Sequence, residues 1–287
     1  MFINHEKLTL VTMKAILLHA KENNYGVTAP NIQNEDMARA VVRVAEKCNA
    51  PMIIDINSWV HPDIPWLVNF CRDLAIRSTV PIAINLDHGK NYHDMILGIR
   101  SGFTSIMVDR SSLPYEENVA QTKEVVKMCH ELNISVEAEL GHVGQGEQYD
   151  TDGISNLTVP EEASQFIKET GVDCLAVAIG TAHGRYSGIP HIDFDRLAKI
   201  VELCPDTPLV LHGGSGTGDA NLKKAVHSGI QKVNLATELV VAGRDTLAEF
   251  IQNPKFDKWE LMPSFIKGYS DKLEHYVRLF DQADKAW

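Results

Sequence analysis

Basic residues are outnumbered in this chain and cysteine is scarce. Lys and Arg total 27 against 38 Asp and Glu, a formal balance of −11. That charge repels nucleic acid and anionic membrane surfaces, and no basic tract overrides it. The five cysteines, Cys48, Cys71, Cys129, Cys174 and Cys204, are scattered, with no C-x-x-C pair among them. An odd, dispersed set suggests neither a disulfide framework nor a thiolate zinc knuckle, and it fits a reducing cytoplasm. Long apolar runs are missing too. No stretch approaches the roughly 20 apolar residues of a membrane span, and Met1 to Glu6 lacks the basic start and apolar continuation of a secretory signal. The expectation is a soluble cytoplasmic protein that binds neither nucleic acid nor membrane.

What the sequence does have is a large apolar fraction arranged with a regular period. Hydrophobic residues make up 44% of 287 residues, enough for a core without metal or disulfide staples. Short apolar runs bounded by turn residues recur at Tyr25 to Thr28, Met52 to Ile56, Ile82 to Leu86, Ser105 to Val108 and Ser135 to Ala138, then at Cys174 to Ile179, Pro208 to Leu211 and Lys232 to Leu235. A helix-compatible stretch follows each. Asn118 to Glu131 carries Val119, Val125, Val126 and Met128 among polar residues, and Pro160-Glu161-Glu162 opens another helix with a proline and two acids. Eight βα repeats predict an α/β fold, a (β/α)8 TIM barrel with a helical C-terminal extension after Pro254, in one domain spanning residues 1–287. A doubly wound open sheet is the structural alternative.

In a parallel barrel the reactive groups sit at the C-terminal ends of the strands. Three of the twelve histidines fall there, His88, His183 and His212, and each precedes a glycine. Neutral imidazoles converging from three strands can bind a divalent ion, zinc first among the candidates; any one of them alone reads rather as a helix cap or a core hydrogen-bond partner, but the three together do not. Asp87, next to His88, is the general acid/base candidate, with a histidine-orienting carboxylate as the alternative. His212-Gly213-Gly214-Ser215-Gly216 after strand seven and Asn234-Leu235-Ala236-Thr237 after strand eight stand where barrels build phosphate sites. Asp109, Glu137 and Glu139 end strands four and five. Glu137 and Glu139 share a face, where an internal ion-pair network competes with metal or substrate contact. The glycine-rich loop Gly141 to Glu147 reads as a lid over the mouth, and His142 stays ambiguous.

Taken in order, Asn85-Leu86-Asp87-His88-Gly89, Val136-Glu137-Ala138-Glu139-Leu140-Gly141, Ala178-Ile179-Gly180-Thr181-Ala182-His183-Gly184, Leu211-His212-Gly213-Gly214-Ser215-Gly216 and Lys232 to Glu238 resemble the class II metal-dependent fructose-bisphosphate and tagatose-bisphosphate aldolases. The resemblance implies reversible retro-aldol cleavage of a ketose phosphate or bisphosphate to dihydroxyacetone phosphate and an aldehyde. By it, His88, His183 and His212 are zinc ligands and Asp87 is the acid/base on the aldehyde oxygen. Asp109 and Glu139 are carboxylates able to hold the metal in an alternative position, and Glu147 is a proton carrier on the mobile loop. Gly184, Gly213, Gly214, Ser215, Asn234, Leu235, Ala236 and Thr237 bind the triose phosphate, with a monovalent cation, Na+ or K+, near these loops. A homodimer or homotetramer is implied, with Pro263 to Phe280 as contact surface.

Two departures bear on substrate. Pro30 stands where the family usually has an aromatic residue, and Asn57 where it has Ser or Thr. The distal cation for a second phosphate has only Lys272 as a loose counterpart, so the aldehyde product is left open as neutral, phosphorylated or carboxylated. The competing functions are a zinc hydrolase built on the same three histidines and a non-catalytic sugar-phosphate-binding protein.

Overall fold

Eight short strands turn every second side chain toward one shared interior, and that alternation decides where the chemistry sits. The computed structural model describes residues 8–144, 157–184 and 190–287. After helix α1 (Met13–Glu22) come β1 (Val27–Pro30), α2 (Glu35–Lys47), β2 (Met52–Asn57), α3 (Ile64–Arg77), β3 (Ile82–Gly89), α4 (Tyr92–Ser101), β4 (Ser105–Val108), α5 (Tyr115–Glu131) and β5 (Ser135–Leu140). Then follow α6 (Pro160–Thr170), β6 (Cys174–Val177), α7 (Phe194–Leu203), β7 (Leu209–Leu211), α8 (Asp219–His227), β8 (Ile230–Leu235) and α9 (Thr237–Phe250). A 3-10 turn (Lys258–Glu260) leads into the long helix α10 (Leu261–Leu279).

All strand pairs are parallel, in the order β1-β8-β7-β6-β5-β4-β3-β2. The sheet nearly closes on itself. Between β1 and β2 there is a single bridge, Asn31 to Asp55, with Ile32 N–H donating to the Asp55 carbonyl at 3.0 Å. The expected (β/α)8 barrel with a C-terminal helix is therefore what forms, and the open doubly wound sheet is not. The expected Tyr25 to Thr28 strand instead runs Val27–Pro30, the sixth stops at Val177 rather than Ile179, and the seventh begins after Pro208. Pro208 has no N–H to give a ladder, and only its carbonyl is used, by Leu175 N–H at 3.1 Å.

Successive side chains of a strand point to opposite faces, so one residue in two looks into the barrel. Val27, Ala29, Ile53, Ala83, Cys174, Ala176 and Val210 form a separate interior cluster with Met13, Ile16, Leu17 and Ala20 of α1. Met13 N–H donates to Ser105 Oγ at 2.8 Å, and Lys14 N–H to Ser135 Oγ at 3.4 Å. Since those serines open β4 and β5, α1 plugs the N-terminal face of the barrel, a role its sequence did not announce. Above that apolar floor lie Asp55, Asn85, Glu137 and Lys232, all fully buried. The polar layer is the floor of the mouth. The outward residues, such as Val136, Ala138, Val233 and Leu235, belong to the main core beneath the helices.

The seam between β1 and β2 is closed by the C-terminal tail. Fully buried Gln282 accepts at Oε1 from Thr28 N–H and Thr28 Oγ1, each at 3.0 Å, and donates from Nε2 to the Pro51 carbonyl at 2.5 Å. Tyr269 of α10 donates its hydroxyl to the Asn31 carbonyl at 3.1 Å. All five cysteines are free and buried.

Candidate active site

Asp87 and His88 are neighbours in sequence, yet both face the mouth. An unbroken strand would send them to opposite faces. Here the β3–β4 register shifts between Leu86 and Gly89, and His88 adopts a left-handed backbone with φ of 51°. For a residue that is not glycine this conformation costs about 1 kcal/mol or more. The bulge re-aims the imidazole so that Nε2 lies 3.8 Å from Asp87 Oδ1.

The three histidines named from the sequence meet. Ring centroids are 4.9 Å apart for His88 and His183, 4.8 Å for His88 and His212, and 5.7 Å for His183 and His212. One nitrogen from each lies within 4.8 Å of the others. His212 follows β7 and is wholly buried. His183 is anchored through its backbone N–H to the Gly144 carbonyl at 2.8 Å. Gly213 holds φ of 68°, and a Cβ there would lie 2.3 Å from the Ala182 carbonyl oxygen, so only glycine lets the ends of β6 and β7 approach this closely.

Carboxylates behind the rings set which nitrogens face inward. His88 Nδ1 is 2.8 Å from Asp109 Oδ2, and His212 Nε2 is 2.8 Å from Glu137 Oε1. A carboxylate accepts, so each of those ring nitrogens carries the hydrogen. The remaining nitrogens, His88 Nε2 and His212 Nδ1, then confront each other at 3.1 Å. Two lone pairs cannot face at that distance without a cation between them. A proton there is consistent with His88 being pushed up to about 10: burial opposes its charge, but Asp87 and the hydrogen bond to Asp109 outweigh that. A divalent ion would serve the same need. His183 shifts downward, through burial and repulsion by His88 and His212, and is held neutral as a ligand must be.

A second group of donors lies alongside. His88, Asp109 and Glu139 also bring one ligand atom each within 4.8 Å of the others. Glu139 Oε2 is buried with no hydrogen-bond partner. Burial and the Asp109 charge both raise its carboxyl. An unpartnered buried carboxylate oxygen is the signature a cation would resolve, and the donor set of imidazoles and carboxylates suits a divalent transition metal.

Asp87 is buried, and burial favours the neutral acid, but His88, His212 and Lys232 together with Asn31 hold it well below the ordinary carboxylate range. Its Oδ2 accepts from Asn31 Nδ2 at 2.8 Å and Asn57 Nδ2 at 3.0 Å, and its Oδ1 from Asn234 Nδ2 at 3.1 Å. Asn57, which stands in place of the usual hydroxyl residue, thus positions Asp87 directly.

Lys232 was the main residue missed. It is wholly buried inside the barrel, 2.8 Å from Glu137 Oε2 and 3.4 Å from Asp55 Oδ2. Inward polar positions on neighbouring strands were the available signal, and its even spacing with Asn234 was there to read. Glu137 accordingly belongs to an internal network touching His212, and Glu139 to the possible ligand set.

These groups open into a cavity of about 370 Å³ whose wall includes Asp87, His88, Asp109, Glu139, His142, His183, Gly184, Gly213, Gly214, Ser215, Asn234, Ala236 and Thr237. The Leu235 side chain is fully buried in the core outside the barrel, because alternation turns it away from Asn234, so only its backbone can face the site. Helix α9 begins at Thr237 behind Ala236, which has no side chain to cap it; Glu238 N–H donates to Ser215 Oγ at 3.3 Å, so the helix start and the Ser215 loop meet at one place suited to an anion. His142 joins the wall, its Nδ1 2.9 Å from Ser111 Oγ. Pro30 and Lys272 stay outside it, with Lys272 3.7 Å from Glu238 Oε2. Glu147, with Gln145 and Gly146 before it, lies outside the described residues.

A parallel barrel with histidines and carboxylates gathered at the ends of its strands, beside a glycine-rich loop, defines a barrel enzyme of the kind that can hold a metal ion. Residues 11–285 match the family model "Fructose-bisphosphate aldolase class-II", and the chain belongs to that family. A fructose-bisphosphate aldolase of Staphylococcus aureus (strain Mu50 / ATCC 700699) is 39% identical over 97% of this chain and 100% of its own length. The crystal structure of the YdjI aldolase from Escherichia coli K12 superposes with a TM-score of 0.86 at 30% identity, covering 97% of this chain and 100% of that one. That of a putative fructose-1,6-bisphosphate aldolase from Coccidioides immitis gives 0.83 at 27% identity, over 94% and 96%. The chain is a carbon–carbon lyase that performs reversible retro-aldol cleavage, in a family that acts on small sugar phosphates and generally depends on a divalent metal. Among the described residues no helix is long and apolar enough to cross a membrane.

Proposed function

We propose that this aldolase cleaves a ketose phosphate or 1,6-bisphosphate to dihydroxyacetone phosphate and an aldehyde, with zinc held by His88, His183 and His212. The facing nitrogens of His88 and His212 at 3.1 Å, each turned inward by a carboxylate behind it, carry this reading. When bound, the metal supplies Lewis acidity that polarises the substrate ketone and offsets the charge developing as the carbon–carbon bond breaks. Asp109 and Glu139 offer the alternative position for the ion.

Asp87 takes the hydroxyl proton from the carbon that becomes the aldehyde and returns it in synthesis. It is ionised and immobilised by three asparagines, so it meets the proton without reorganising. Glu147 is the second proton carrier. Gly184, Gly213, Gly214, Ser215, Asn234, Leu235, Ala236 and Thr237 hold the triose phosphate, with the start of α9 as its anion site and Leu235, whose side chain is buried outside the barrel, contributing through its backbone. Asn234 Oδ1, buried without a hydrogen-bond partner, supports a Na+ or K+ ion beside these loops. The chain acts as one domain over residues 1–287, in the cytoplasm, as a homodimer or homotetramer. Exposed Ile251, Phe256, Trp259 and Met262 around the C-terminal helices support that association.

The test is triose phosphate release from a panel of ketose phosphates varying in stereochemistry and terminal group. Release from at least one of them is expected; none from any, with metal supplied, overturns the assignment.

A further inference from the structure

Lys272, the loose sequence counterpart of a distal cation, stands instead behind the loop that follows β7. Its Nζ lies 3.7 Å from Glu238 Oε2 at the start of α9, and the two side chains are only 31% and 28% exposed, so water does not fully screen them. Helix packing puts them together. A Cβ at Gly243 of α9 would lie 2.9 Å from the Phe265 carbonyl oxygen, and one at Gly268 of α10 would lie 2.4 Å from the Ala242 carbonyl oxygen, so the two helices approach as only glycines allow. One turn beyond that contact, four residues before Ala242 and four after Gly268, Glu238 meets Lys272. The ammonium also lies 4.6 Å from the Tyr276 ring centroid on the same helix.

Glu238 is committed to the loop. Its Oε1 accepts from Gly216 N–H at 2.7 Å, while its own N–H donates to Ser215 Oγ at 3.3 Å, so the loop and the start of α9 clasp each other from both sides. The other oxygen, Oε2, is buried with no hydrogen-bond partner, and 3.7 Å is too long for a bond to Lys272. What reaches it is charge alone. The clasp thus sets a carboxylate one residue from Ser215, where the cavity wall of Gly213, Gly214, Ser215, Asn234, Ala236 and Thr237 carries no charged side chain. A phosphate held against that wall is repelled by Glu238 unless a cation offsets it. Among the described residues Lys272 is the only ion-pair partner Glu238 has.

We infer that Lys272 is a positioning residue for the triose-phosphate half of the substrate: it neutralises Glu238, so that Glu238 can hold the Gly216 loop without opposing the phosphate beside it. The inference rests on the aldolase reading and adds a residue outside the cavity to it.

The test measures the dissociation constant of dihydroxyacetone phosphate from metal-loaded protein by calorimetry, beside kcat for aldol synthesis and the urea midpoint of each variant. Lys272→Met should bind it about fivefold more weakly, the upper range for a partly exposed charge pair, with kcat and the urea midpoint close to wild type. Lys272→Arg should keep the wild-type affinity. Glu238→Gln retains an acceptor for Gly216 but no charge, and should bind more tightly than wild type. Combining Glu238→Gln with Lys272→Met should restore affinity to within about twofold of wild type, because neither charge is then left unbalanced. Wild-type affinity in Lys272→Met overturns the inference, and so does a double variant as weak as Lys272→Met alone, which would assign the loss to packing. Wild-type protein that binds dihydroxyacetone phosphate but forms no aldol product with any aldehyde overturns the aldolase reading, and the four affinities still decide the role of Lys272.

Discussion

Lys232 donates a 2.8 Å hydrogen bond to Glu137 at a point where both side chains are wholly buried. The other oxygen of Glu137 is 2.8 Å from His212 Nε2, so a charge in the barrel interior fixes the orientation of a ring at its mouth. Burial opposes ionisation of both partners, yet Lys232 and His212 lower Glu137, and Asp55 together with Glu137 raises Lys232.

That linkage gives Glu137→Gln a defined effect. Removing the charge behind His212 should weaken metal binding about 10- to 100-fold, read by competition with a chromophoric chelator. Lys232→Met should instead destabilise the fold by about 3 to 5 kcal/mol in urea unfolding, because an unpaired carboxylate stays buried. Wild-type metal affinity in Glu137→Gln would break the proposed chain from Lys232 to the ligand.

Asp55 should make stability depend on pH. Burial pushes its carboxyl up to about 8, only partly opposed by Lys232. Because the folded value lies above the unfolded one, the folded state keeps a proton that the unfolded chain releases. Stability from this group therefore falls as pH rises from about 4 to 8, by up to about 1.4 kcal/mol per pH unit. Asp55→Asn should remove that slope between pH 5 and 8 in paired urea titrations. The substitution can be housed, since turning the Asn85 amide offers its unpartnered Oδ1 to the new amide. Parallel curves for wild type and variant would show that Asp55 is ionised throughout.

Gln282 should prove a structural keystone far from the chemistry. Gln282→Ala strands Thr28 N–H and the Pro51 carbonyl at the barrel seam, and should cost about 1 to 3 kcal/mol or more by thermal or urea unfolding. Unchanged stability would mean that water fills the seam.

Asp87→Ala should keep metal and lose about 10²- to 10⁴-fold in kcat. Measured metal content separates this outcome from a collapsed site. Turnover within a few-fold of wild type would remove Asp87 from the proton transfer.

Much of this arrangement was legible because period-two alternation and βα spacing are local properties. The eight strands and the positions of His88, His183 and His212 at their ends follow from them. What stayed hidden depends on neighbours distant in sequence. Lys232 reads as an ordinary strand lysine until β8 is set near Asp55 and Glu137. Asp87 and His88 share a face only because of a bulge and a left-handed residue, and no residue type announces φ of 51° at a histidine. Alternation alone turns the Leu235 side chain outward from Asn234, as found. The α1 plug was missed because an amphipathic helix does not declare which surface it covers.

The central claim is that three imidazoles hold one ion on which cleavage depends. The direct measurement is dihydroxyacetone phosphate release by chelator-stripped protein as zinc is added back. Activity should be absent at the start and rise linearly to a plateau at about one ion per chain, with His212→Ala failing to recover at that stoichiometry. Full turnover by the stripped protein, insensitive to added metal, would contradict the account.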